Sequence, residues 1–310
     1  MNFIVFPGQG SQKVGMGKEL SETYLEAKEV FEEVNDALNF NLTKIMWEGS
    51  ENEISLTSNA QPALMACSVA AYRVLKKVTN KNLSELANYI CGHSLGEYTA
   101  MTVAEVFSLK ECAILLRLRG KSMQEAVPIG KGSMAAFMGV DVNTTKKILK
   151  ETKSYGVCNI GNDNSDGQVV ISGDTLAVEK AINLSKDFGV KRAVKLAVSA
   201  PFHCELMKPA QIIMEEALNN LQFKNPIIPI ISNITAFPEI DPQNLKKNLI
   251  DQVTGTVRWR ETMNLANQLG VKKILELGSG KVLTGIAKRM VKDVIALNIE
   301  KPDDLIHLGS

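Results

Sequence analysis

The segment Gly92-His93-Ser94-Leu95-Gly96 constrains this chain more than any other. It has the form G-x-S-x-G. A short apolar run, Asn88–Cys91, precedes it, and a stretch that reads as helix from residue 95 follows it. A strand that turns sharply into a helix needs glycines on both sides, and the turn lifts the serine hydroxyl clear of the sheet. The helix then aims its free N–H groups and the positive end of its dipole at the serine, where developing negative charge is favoured. The competing reading is a glycine-lined packing turn without chemistry. The strand before and the helix after favour a nucleophile at Ser94, and they presuppose an α/β fold.

The rest of the chain agrees with that fold. Residues 2–6 (NFIVF) read as a buried strand running into the loop Pro7-Gly8-Gln9-Gly10. Helical patterns follow from about 16 to 38 and over 59–78. The stretch 95–126 carries one interruption: Ser108-Leu109-Lys110-Glu111 is a capping box, so a second helix starts near 109. From about 130 the pattern changes to strand, helix, two strands, helix and strand: 132–140, 143–153, 156–160, 167–172, 176–188 and 191–198. That β-α-β-β-α-β order predicts a ferredoxin-like unit. Alternation then resumes with helix 204–220, strand Pro229–Asn233, helix 259–269, strand 272–276 and helix 280–290. Strands alternating with helices predict a mostly parallel sheet covered on both faces.

A serine nucleophile needs a base within hydrogen-bond reach, and the chain has only three histidines. His93 adjoins Ser94, where the strained turn directs side chains apart, and reads as a supporting residue. His307 lies in Asp303-Asp304-Leu305-Ile306-His307, a solvated tail on the bland reading. His203 follows a predicted strand in Ser199-Ala200-Pro201-Phe202-His203, a strand-end loop where α/β enzymes place catalytic groups. A structural histidine there remains an even alternative.

Arg119 gains interest from the capping box. A straight helix from residue 95 would carry it roughly 36 Å away, at about 1.5 Å per residue. A turn-back at 108 returns it to the neighbourhood of Ser94. A guanidinium beside a nucleophile suits an acyl group bearing its own carboxylate, which it grips through two parallel hydrogen bonds. The alternative is an ordinary solvated helix arginine.

Other classes of function find little support. Net charge is +1, from 35 basic and 34 acidic residues, which argues against a nucleic-acid binder. No segment approaches the roughly 18 apolar residues of a membrane span, and no signal peptide is visible. Five scattered cysteines, never spaced C-x-x-C, read as reduced thiols, and with so few histidines no metal site is expected. A cytoplasmic protein is expected. Gly15-Met16-Gly17-Lys18 lacks Walker spacing, and Gly130-Lys131-Gly132 precedes a strand, so nucleotide binding is disfavoured.

Together, Phe6-Pro7-Gly8-Gln9-Gly10-Ser11-Gln12, the elbow through Glu97-Tyr98, Arg119-Gly120, Pro201-Phe202-His203 and Asp251-Gln252…Val257-Arg258-Trp259 resemble the malonyl-CoA:acyl carrier protein transacylase family, across essentially the whole chain. The resemblance implies an α/β-hydrolase-like core over 1–128 and 199–310, with a ferredoxin-like small subdomain inserted at 129–198. It implies Ser94 as the acylated nucleophile, His203 as base and Arg119 as the malonyl clamp. The N–H groups of Gln9 and Leu95 would form the oxyanion hole, and the main chain of Gln252 would orient the histidine. His93 would be a second active-site histidine, Asn162 a cleft residue of the small unit, and Phe202 a bar to branched acyl groups. Malonyl-CoA and a transiently bound, acidic acyl carrier protein are the implied partners, and no cofactor is implied; separately, a monomer is expected. Lys281, Lys288, Arg289 and Lys292 are candidates for docking the carrier, or form an ordinary basic face. Three rivals stay open: a serine thioesterase or hydrolase using His307, a polyketide-type acyltransferase, and a silent scaffold of the same fold.

Overall fold

The computed structural model describes the backbone of residues 1–309 and the side chains of residues 1–306. Among the described residues, ten strands make two sheets: β1 (Asn2–Phe6), β2 (Tyr89–Gly92), β3 (Gly132–Met138), β4 (Cys158–Ser165), β5 (Gln168–Asp174), β6 (Arg192–Lys195), β7 (Ile230–Ile231), β8 (Pro238–Glu239), β9 (Lys273–Leu277) and β10 (Ile295–Ile299). The larger sheet has the order β10-β9-β1-β2-β7-β8. All its pairings are parallel except β7 with β8. The smaller has the order β4-β5-β3-β6 and is antiparallel throughout.

Strand β1 shows why the larger sheet sits in the middle. Ile4 and Phe6 enter the large core formed with the helices on one face, and Phe3 and Val5 enter a second core on the other. All four are fully buried. Burying each such side chain contributes about 1.5–3 kcal/mol, and the two-residue period sends alternate members to opposite faces. Strand β3 repeats the logic. Ala135 and Phe137 pack under the helices Val142–Glu151 and Thr175–Leu184, while Met134 and Ala136 face the large core.

The predicted turn-back is present. Helix Leu95–Val103 ends at Ala104, Glu105 takes φ 64, and helix Leu109–Glu125 starts from the Ser108–Glu111 capping box. The Ser108 hydroxyl accepts from Glu111 N–H at 3.2 Å, and the Glu111 carboxylate accepts from Ser108 N–H at 2.7 Å.

Other boundaries differ. The 16–38 pattern divides at the extended residue Tyr24 into Lys18–Thr23 and Leu25–Leu38. Residues 204–220 open with a 3-10 turn, Glu205–Met207, before helix Lys208–Asn219, which carries Pro209 in its first turn. Strand 229–233 shrinks to Ile230–Ile231, freeing Asn233 for the site. Helix Pro242–Gln252 and strand β10 join the predicted elements. The helix carries a legible start signal, since Asp241 caps it and Pro242 opens it.

The small sheet is joined to the loop that leads into helix Trp259–Gln268. Strand β4 is irregular between Ile160 and Asn162 and again between Asp163 and Ser165. There Asp163 N–H donates to Val257 O and Val257 N–H donates to Gly161 O, each at 2.9 Å. An ion pair from Arg260 to Asp163, at 2.9 Å, reinforces the seam. No helix among the described residues is long and apolar enough to cross a membrane.

Candidate active site

Strand β2 delivers the chain to Ser94 at φ 54 and ψ −111, a conformation that non-glycine residues rarely hold. The flanking glycines are required by contact. A Cβ on Gly92 would lie 2.0 Å from the Gly96 carbonyl, and one on Gly96 would lie 2.4 Å from Phe6 O. The strain is held by a residue that the sequence reading missed. Asn233, 1% exposed, accepts the Ser94 N–H on Oδ1 at 2.7 Å and donates Nδ2 to Gly92 O at 2.7 Å. Its side chain thus bridges both ends of the turn. The only signal was its place at a strand end.

His203 stands 109 positions from Ser94 and meets it: Nε2 lies 2.8 Å from Ser94 Oγ. Nδ1 lies 2.8 Å from the main-chain oxygen of Gln252. A carbonyl only accepts, so Nδ1 carries the proton and Nε2 offers its lone pair to the serine. His203 also has a positive φ, 58°, so both members of the pair sit on strained backbone. Burial lowers its pKa to about 3, assisted by the nearby Arg119 cation. The folded protein therefore binds fewer protons than the unfolded chain between that value and the ordinary 6.5, and this histidine makes stability rise with pH across that window. At neutral pH the His203 imidazole is already deprotonated. The kcat/KM of a reaction that uses this imidazole as base should show no acid limb near pH 6.5, and the rate at about pH 5.5 should stay within about twofold of that at pH 7. A pH–rate profile with a midpoint at the ordinary histidine value would contradict this environment.

Arg119 returns to the elbow as the capping box predicts, but as a buried group. It is 1% exposed. Nη1 donates to Gln61 Oε1 at 2.8 Å, and Nη2 donates to Gln252 Oε1 at 2.8 Å and to Ser94 Oγ at 3.1 Å. Its ring neighbour is Tyr98, with the guanidinium carbon 5.4 Å from the ring centre. Gln252 therefore serves twice, its main chain holding His203 and its side chain Arg119. Its Nε2 donates further, to Ser94 O at 3.0 Å and to Glu97 Oε2 at 2.7 Å. The side-chain role of Gln252 and the presence of Glu97 in this network had no signal in the sequence.

Gln9, Leu95, His93, Asn162 and Phe202 line the same cavity of about 330 Å³ with Ser94, Arg119 and His203. Leu95 N–H, at the first position of its helix, has no intrahelical acceptor. His93 Nε2 donates to Oδ1 of Asn164 at 2.9 Å, so the small-sheet amide that touches a histidine is Asn164. Asn162 instead pairs along the main chain with Val257 and lines the cavity. Desolvation lowers the His93 pKa, against the opposing effect of that hydrogen bond. A larger cavity, about 980 Å³, opens near Tyr72, Lys76 and Glu105, and no histidine or cysteine lines it. The His307 side chain lies outside the described residues. Lys281, Lys288, Arg289 and Lys292 are all exposed; the first caps helix Val282–Met290 and the last lies beyond its end.

A buried, neutral histidine on a strained serine, an amide belt beneath them and a guanidinium on the serine oxygen form a site for covalent acyl transfer. The chain matches the acyl transferase domain family over residues 3–301. It is 40% identical to the malonyl CoA-acyl carrier protein transacylase of Bacillus subtilis (strain 168) over 303 residues, 97% of this chain and 94% of that protein. Its structure superposes on the acyl-carrier-protein-S-malonyltransferase from Bartonella henselae with a TM-score of 0.96 and 47% identity, covering 99% of this chain and 97% of that one. A malonyl-transacylase solved in complex with a type II PKS acyl-carrier protein gives 0.94 and 39% identity, covering 98% and 97%.

Proposed function

The chain belongs to the acyl transferase domain family, and on that premise we propose that it moves a malonyl group from malonyl-CoA to the pantetheine thiol of an acyl carrier protein, through a malonyl-Ser94 ester, in fatty acid biosynthesis. The observation that carries the reading is the buried Arg119 guanidinium donating to the nucleophile's own oxygen. That arrangement serves an acyl group with a distal carboxylate more than it serves a plain ester or acetyl group.

In this reading Ser94 Oγ attacks the thioester carbonyl while His203 Nε2 takes its proton. The N–H groups of Gln9 and Leu95 receive the oxyanion. The C–S bond breaks, and the proton on His203 passes to the departing CoA sulfur. The carrier's thiol then gives its proton to His203 and attacks the ester, and Ser94 leaves with that proton. Phe202 narrows the cavity against branched acyl groups, while His93 and Asn162 complete its wall. The finer architecture belongs to the same proposal: an α/β-hydrolase-like core over 1–128 and 199–310 carrying a ferredoxin-like subdomain at 129–198, in a cytoplasmic monomer. Lys288 and Arg289 also favour the C-terminal end of their own helix, so their exposure alone assigns them no carrier.

Intact mass taken within seconds of adding malonyl-CoA tests the reading. We expect a malonyl-sized adduct that requires Ser94 and discharges on adding carrier protein. Free CoA without a lasting adduct would indicate a hydrolase instead.

A further inference from the structure

Arg119 is a buried cation whose three acceptors, Gln61, Gln252 and Ser94, are all neutral. The carboxylate whose charge it feels is that of Glu97, one residue removed through Gln252: Arg119 donates to Gln252 Oε1, and Gln252 Nε2 donates to Glu97 Oε2. Glu97 is fully buried. Its Oε2 also accepts Asn233 N–H at 3.2 Å, whereas Oε1 has no partner among the described residues. In the free protein Glu97 supplies the countercharge that the buried guanidinium needs. A malonyl carboxylate on Arg119 would leave two buried negative charges facing one positive charge.

We propose that Glu97 is a charge-compensating residue that accepts a proton on Oε1 when malonyl is loaded and releases it when malonyl leaves. This rests on the malonyl-Ser94 reading. The balance is malonyl-CoA plus the Ser94 hydroxyl plus ionised Glu97 plus one solvent proton, giving malonyl-Ser94, CoA thiol carrying the hydroxyl's proton, and Glu97 protonated by the solvent proton. The Ser232 hydroxyl lies beside the carboxyl. The charged and titratable groups that face Glu97 are Arg119 on helix Leu109–Glu125, Cys91 on β2 and the adjacent Tyr98. The other groups beside it, from Ser232, Asn233 and Gln252, are neutral amides and a hydroxyl. Burial already raises the Glu97 pKa to about 7, so a proton is available to it near neutrality. A new negative charge nearby raises a carboxyl pKa further, by about one to three pH units.

The test is proton stoichiometry in a single loading, without carrier protein, in weakly buffered solution with a pH indicator, and with the adduct counted by mass. CoA thiol release yields protons, increasingly so as pH nears about 8.5, and never consumes them. Net uptake between about pH 7 and 7.5, roughly half a proton per adduct and fading below about pH 6, is the expected result. Uptake should disappear in Glu97→Gln. Proton release, or no change, at that pH while the adduct forms overturns the proposal, as does uptake that survives in Glu97→Gln. Should that variant fail to fold, the sign and pH of the wild-type uptake still decide, because uptake by His203 would instead peak at acid pH. Absence of any adduct would overturn the malonyl reading itself.

Discussion

Ser94→Ala should lower acyl transfer by on the order of a millionfold, and His203→Ala should come close to the same loss. The two groups act as one unit. Oγ is a poor nucleophile without a base, and the Nε2 lone pair lies 2.8 Å from it. The combined loss is about 8 kcal/mol of transition-state stabilisation, and the double variant should lose little beyond either single one. Burst release of CoA from malonyl-CoA measures it. Activity within tenfold of the parent in Ser94→Ala would show that the covalent route is wrong. Multiplicative losses in the double variant would show that the two groups act separately. Both variants should remain folded, since neither removal leaves a buried charge unpaired.

The second large effect is selective. Arg119→Ala should reduce kcat/KM for malonyl-CoA by about 10²–10³ relative to its effect on acetyl-CoA, the size expected when a buried charged partner is withdrawn from an ionised ligand, about 3–4 kcal/mol. Arg119→Lys should restore little of it, because an ammonium cannot present two parallel donors. The variant also leaves Gln61 Oε1 and Gln252 Oε1 without their donor, so some loss on acetyl-CoA is expected as well. Equal losses on both thioesters would assign Arg119 to positioning Ser94 and Gln252, not to gripping the acyl carboxylate. Comparing the two substrates on one preparation separates these roles, because misfolding lowers both alike.

Much of this site could be read from the chain because its parts obey local rules. The elbow needs glycine wherever its backbone passes within 2.0–2.4 Å of a neighbouring carbonyl, and that requirement is written as G-x-S-x-G. The capping box at Ser108 stops one helix and starts another, and the arithmetic of rise per residue then returns Arg119 to Ser94. Burial of β1 on both faces was written in NFIVF. The resemblance supplied the main-chain role of Gln252, which no spacing or composition could have indicated.

What the amino-acid sequence determined by itself was therefore the elbow at Ser94, the reversal that brings the guanidinium back, and a mostly parallel sheet with a separate antiparallel one. Tertiary structure alone decided how these are wired. It brought Asn164 to His93, gave Asn233 the task of holding the strained turn, set His203 at a positive φ, and placed Glu97 under Gln252. The physical reason is range. Caps, turns and strand periods depend on residues a few positions apart. Hydrogen bonds such as that from Gln252 to Ser94, 158 positions apart, depend on which strands the topology lays side by side and on which polar atoms the core then leaves in reach.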